Sequence, residues 1–200
     1  MENYYNTLPD NYKVAKVVDA KDAKVGIIMN LIGLLMMALV GVPLYFIRAN
    51  DITSYLASLK DNFLGPYLIL MLSIFGGYII YIILHELTHG IAYKITTKQK
   101  LTFGFNGFVA FCGVPKIYTS RKTSLIALLA PFITYTLILL PMCFMFKDGM
   151  ITLVAIFLFS AHFGGCVGDL YCTILLLFKF DKNTLVNDTG PMQVFYILKE

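Results

Sequence analysis

Four apolar stretches, at residues 25–47, 64–93, 124–146 and 150–178, set the limits on what this chain can fold into. A hydrocarbon core about 30 Å thick is crossed by about 20 helical residues, and each stretch is at least that long. Inside lipid every backbone polar group must find its partner within the protein, and unbroken apolar runs of this length do so as helices. The expected architecture is an all-α membrane protein of four transmembrane helices. A short β-hairpin is expected in the cytoplasmic loop between the second and third. Of the 200 residues, 58% are hydrophobic and 14% charged, well below the roughly 25% charged of a soluble domain. That excludes a soluble enzyme and a disordered tail. With no basic stripe in the sequence, nucleic acid is not an expected partner.

The segments between the spans set the organisation. Residues 1–24 form a polar N-terminal segment, 25–178 one four-span domain and 179–200 a C-terminal segment. Thirteen of the sixteen Lys and Arg lie before the first span, between Lys94 and Lys122, or after the fourth span. Cationic loops stay in the cytoplasm, so both termini are expected there. The first apolar run exceeds the 7–15 residues of a signal-peptide core and reads as a span. Cys112, Cys143, Cys166 and Cys172 form no Cys-x-x-Cys pair and read as free thiols. Between Leu101 and Cys112, Asn106-Gly107 separates two aromatic-rich runs, a strong hairpin signal. The C-terminal stretch with Asn187-Asp188-Thr-Gly-Pro191 reads as a turn and a short amphipathic segment, with no chemistry assigned.

Ionisable groups inside a bilayer are costly, so those present point to function. Here they are His85, Glu86 and His89 in the second span and His162 and Asp169 in the fourth, with no Lys or Arg in any span. Two carboxylates without a cationic partner are poorly stabilised in low dielectric, and a bound dication would supply the missing charge. His85-Glu86-Leu87-Thr88-His89 has the H-E-x-x-H pattern. At 100° per residue the two histidines stand about 40° apart on one helix face, so both imidazoles can reach one ion. Glu86 lies about 60° from His89, placed to take a proton from water at that ion.

The run HELTHG from His85 to Gly90, Ala130-Pro131-Phe132 in the third span and Gly168-Asp169 in the fourth resemble a bacterial zincin peptidase family of integral membrane proteins. The set is also similar to intramembrane metalloproteases of the site-2 protease type. The resemblance implies a metallopeptidase of the bacterial cell membrane with one zinc ion, held by His85, His89 and Asp169, and Glu86 as general base. It further implies a membrane protein or peptide substrate, received by a strand-forming region near the site. The chain departs from the site-2 pattern in lacking Leu-Asp-Gly or Asn-Pro-Asp-Gly around its Asp.

Depth along the spans weighs Asp169 against His162. His85 is nine residues before Lys94, Asp169 ten before Lys179, and His162 seventeen before it. At 1.5 Å per residue Asp169 stands within about 2 Å of the level of His85, and His162 about 12 Å above it. Asp169 is the expected third ligand, with His162 as a supporting or substrate-side group or, if its helix is distorted, a fourth ligand. Tyr78, seven residues before His85, shares its face and could donate a hydrogen bond to a developing oxyanion. Two other classes fit the same ligands less fully: a metal-ion transporter, which would need polar residues along whole spans, and a non-catalytic metal-binding membrane protein, which would need a closed four-ligand site.

Overall fold

The computed structural model describes residues 2–59, 64–105 and 110–199. The four apolar runs become helices: α1 (Ala23–Ile47), α3 (Leu64–Thr97), α4 (Arg121–Met145), and a last run divided into α5 (Gly149–Gly165), α6 (Val167–Ile174) and a π-helical turn (Leu175–Lys179). All four runs are long and apolar enough to cross a membrane. The fourth is not one continuous helix. Cys166 closes α5 with its amide on the His162 and Gly164 carbonyls, and α6 starts afresh at the next residue.

The expectation of an all-α fold with one hairpin is corrected. Besides strands β3 (Thr102–Phe105) and β4 (Ala110–Gly113), the described residues hold a five-stranded antiparallel sheet ordered β1-β5-β6-β7-β2. Its strands are β1 (Tyr4–Tyr5), β2 (Tyr12–Asp19), β5 (Tyr118–Ser120), β6 (Leu185–Asp188) and β7 (Met192–Leu198). The N-terminal segment, the long loop and the C-terminal segment each supply strands, in registers such as Tyr4↔Thr119, Val186↔Phe195 and Val17↔Val194. Hydropathy alone reads these segments as polar connections. β1 and β5 are only two and three residues long, and a register shift between Val14 and Lys16 breaks the alternation of β2. The hairpin is present in the register Phe103↔Cys112 and Phe105↔Ala110. Its expected Asn106-Gly107 turn lies outside the described residues.

The chain divides into two compact units. The first comprises residues 1–29, 83–131 and 168–200 and contains both sheets. Phe180 stacks on Phe195 at 5.2 Å, amid Leu128, Cys172, Leu175, Leu176 and Val186. A second cluster joins Ala92 and Tyr93 to Val114, Ile117 and Ala127. A π turn leaves carbonyls without their usual helical donors, and Arg121 donates to those of Leu176 (2.5 Å) and Leu177 (3.3 Å).

The second unit comprises residues 30–82 and 132–167. In it α1 and α5 touch backbone to backbone: a Cβ on Gly33 would lie 2.9 Å from the Gly164 carbonyl oxygen. Small residues are what allow helices to approach so closely in lipid. The short helix α2 (Ala49–Ser58), which hydropathy does not reveal, buries Ile52 completely. Arg48 at its start pairs with Asp51 at 2.8 Å and donates to the Cys143 and Phe146 carbonyls at the end of α4, satisfying orphan acceptors at the negative pole of that helix.

Candidate metal centre

His85 and His89 stand one turn apart on α3, each 7% exposed. Their Nε2 atoms are 3.2 Å from one another. Asp169 Oδ2 lies 3.3 Å from His85 Nε2 and 3.4 Å from His89 Nε2. The three donors thus form a nearly equilateral triangle. Charge-assisted hydrogen bonds between such groups run about 2.7–2.9 Å, so these atoms are too far apart for close ion pairs. Donors about 2.0–2.1 Å from a tetrahedral centre sit about 3.3–3.4 Å apart. Zinc fits this donor set, two imidazoles and one carboxylate, with a fourth position left over.

Local structure aims each donor. His89 Nδ1 faces the Ala127 carbonyl oxygen of α4 at 2.8 Å; donating its proton there leaves the Nε2 lone pair directed at the other two donors. Asp169 is the third residue of α6, so the helix restart places its carboxylate at the positive end of a helix dipole. Glu86 is half-buried, lies beside the trio and not in it, and accepts a hydrogen bond from the backbone of Cys112 in β4. Gly90 explains how the hairpin comes so close. A Cβ there would lie 2.7 Å from the Phe103 ring and 3.3 Å from the Cys112 sulfur.

Residues 78–185, which contain all four of these side chains, match the model of the protein family described as "Putative zincin peptidase". The chain belongs to this family. No curated protein and no solved structure matches it. Zinc binding and peptidase chemistry are what membership of a zincin family implies, and the His85, His89 and Asp169 donors are of the right kind and spacing for that metal.

The remaining expected site residues of this zincin family member lie in the second unit. His162 is 0% exposed. Its Nδ1 is 3.0 Å from the Tyr81 hydroxyl and 3.5 Å from Cys166 Sγ, and its Nε2 is 3.1 Å from Thr136 Oγ1. Phe132 stacks on the ring at 5.7 Å. Tyr78 is stacked on Tyr81 at 6.3 Å and remains 37% exposed. The structure therefore brings together His85, His89 and Asp169 with Glu86 beside them, and puts His162 and Tyr78 in the other compact unit.

Sequence reasoning missed Asp188. It is 4% exposed at the end of β6, with Tyr93 donating to Oδ2 at 2.7 Å and the Gly190 amide to Oδ1 at 2.8 Å. Burial pushes its carboxyl up to about 6 against the opposing effect of those two hydrogen bonds. The one signal available beforehand was Asp188-Thr-Gly, the spacing of an Asx turn, and that signal carries no hint of burial.

Proposed function

We propose that this zincin family member is a membrane-embedded zinc metallopeptidase that cleaves peptide bonds of membrane or membrane-proximal substrates. The observation that carries the reading is the near-equilateral triangle of His85 Nε2, His89 Nε2 and Asp169 Oδ2, with sides of 3.2, 3.3 and 3.4 Å. These three residues would hold one zinc ion. Zinc bound there supplies a Lewis acid that polarises the scissile carbonyl and makes a water acidic enough to attack at neutral pH. Glu86 accepts the proton that the attacking water releases and returns it to the departing amine. The Ala127 carbonyl keeps His89 in the tautomer that presents Nε2.

The hairpin extends the reading to substrate. Proteolysis needs an extended peptide, and a strand edge binds one through main-chain hydrogen bonds. Strands β3 and β4 form a two-stranded sheet among the described residues, with Cys112 on Glu86 and Phe103 over Gly90. A substrate segment unwound from its helix adds to this edge, in the manner of site-2 type intramembrane proteolysis. The five-stranded sheet supports an orientation with both termini on one side of the membrane, since segments before α1, between α3 and α4 and after the π turn hydrogen-bond to one another. Those segments and the helix ends that adjoin them carry thirteen of the sixteen Lys and Arg, the charge pattern of a cytoplasmic side.

The test is zinc content and cleavage of reporter membrane proteins by purified wild type and Glu86→Gln. The expected result is equal zinc in both and cleavage by wild type alone. Cleavage by Glu86→Gln at the wild-type rate, or loss of its zinc with the helices intact, would contradict the assignment of the base.

A further inference from the structure

Asp188 makes more contacts than its turn requires. An Asx turn is complete once Oδ1 accepts the Gly190 amide. Oδ2 reaches further and accepts the hydroxyl of Tyr93, which is 1% exposed on α3. The backbone carbonyl of the same residue accepts the amide of Val114 at 2.8 Å, just past the end of β4. One residue thus joins the β6–β7 turn, the helix of the H-E-x-x-H motif and the inner strand of the hairpin.

These connections converge on Glu86. Tyr93 follows Glu86 by seven residues, about 20° short of two full helical turns, so both project from one face of α3. The chain from Cys112 to Val114 runs between them, with the Cys112 backbone on Glu86 and the Val114 amide on Asp188. The turn also packs against β4. A Cβ on Gly113 would meet the Gly190 amide and lie 2.9 Å from the Asp188 carbonyl oxygen, and Gly190, at φ +98°, lies against the ring of Phe111. A side chain at Gly190 would be strained by that backbone conformation and would strike the ring as well.

We propose that Asp188 is a positioning residue of the site: bonded at once to Tyr93, Gly190 and Val114, it clamps β4 onto α3 and so holds the Cys112 backbone on the Glu86 carboxylate. The proposal rests on the reading of Glu86 as general base, because its catalytic consequence is a fixed aim for that carboxylate. The clamp itself is a structural statement and can be read without activity.

The Cys112 thiol is the reporter. It is 5% exposed, and burial, with Glu86 and Asp188 nearby, pushes it up to about 12, so an alkylating agent meets an inaccessible, protonated sulfur. Purified full-length wild type, Asp188→Ala, Asp188→Asn and Tyr93→Phe are treated with a maleimide, and the rate at Cys112 is followed by peptide mass spectrometry alongside zinc content and reporter cleavage. Asp188→Ala should raise the Cys112 rate about tenfold or more by letting β4 open locally. It should keep its zinc and lose about tenfold in kcat. Asp188→Asn retains an oxygen for Gly190 and a polar group for Tyr93, and should restore most of both. Tyr93→Phe removes a single hydroxyl, so it gives a smaller rise in the same direction and decides the matter should Asp188→Ala not fold. An unchanged Cys112 rate in both Asp188→Ala and Tyr93→Phe would overturn the clamp, as would loss of zinc in step with the rise. If wild type proves to have no peptidase activity while Cys112 still responds, the clamp stands and the functional reading falls.

Discussion

The two compact units each bury histidine, in opposite ways. His162 is enclosed by Phe132 and Phe159, with the hydroxyls of Tyr81 and Thr136 on its two nitrogens. Each nitrogen of that ring thus faces a hydroxyl. His85 and His89 instead turn their Nε2 atoms toward each other and toward a carboxylate, at spacings too long for strong hydrogen bonds and right for shared coordination. The difference teaches that a histidine at membrane depth is a candidate ligand because of what its ring nitrogens face, not because of its depth alone.

The largest expected effect sharpens that contrast. His89→Ala removes a donor and the Ala127 anchor together, and zinc affinity should fall by at least about 100-fold, measured by competition with a chelator of known affinity. Zinc bound as tightly as in wild type would break the contrast by taking His89 out of the donor set.

On the other side of the comparison, His162→Ala should retain zinc but lower the unfolding transition in detergent. It empties a packed aromatic cage and strips partners from Tyr81 and Thr136, a loss of about 2–4 kcal/mol. A variant as stable as wild type would show that the cage does not depend on its ring.

What the sequence made legible divides along similar lines. Helical periodicity puts His85 and His89 on one face, and nearly equal distances to the following lysine, nine and ten residues, match Asp169 to His85 in depth; the structure brings these three together. The four spans were legible because their apolar runs need no partner to be recognised. The five-stranded sheet was not, since pairings such as Tyr4↔Thr119 and Tyr12↔Leu198 join segments that local patterning treats as separate tails. The break at Cys166 falls in a run that hydropathy reads as one span, where Gly164, Gly165 and Gly168 were the only local sign of distortion. Asp188 was hidden because its burial comes from that sheet and from Tyr93, 95 residues away.

Two smaller effects probe the first unit alone. Gly90→Val would drive a side chain into the Phe103 ring and should displace the hairpin, cutting cleavage about tenfold with zinc retained. Unimpaired cleavage would separate the hairpin from the reaction. The smallest effect is one of pH. The Asp188 carboxyl, raised by burial to about 6, takes up its proton more readily folded than unfolded. Its contribution to stability is complete below the ordinary carboxylate range and is lost as pH rises through about 6. Tyr93, His89, Asp169, Glu86, Cys112 and Cys172 are the ionisable groups that interact with it. Between pH 5 and pH 7 the unfolding temperature of wild type should therefore drop more than that of Asp188→Asn. Parallel pH profiles for the two proteins would show that this carboxyl does not titrate there.

Metal analysis of purified wild type, Asp169→Ala and His162→Ala is the most direct test, because it asks whether Asp169 and not His162 completes the zinc site. One zinc per chain is expected in wild type and in His162→Ala, and loss of zinc in Asp169→Ala. Zinc retained in Asp169→Ala and lost in His162→Ala would contradict that assignment.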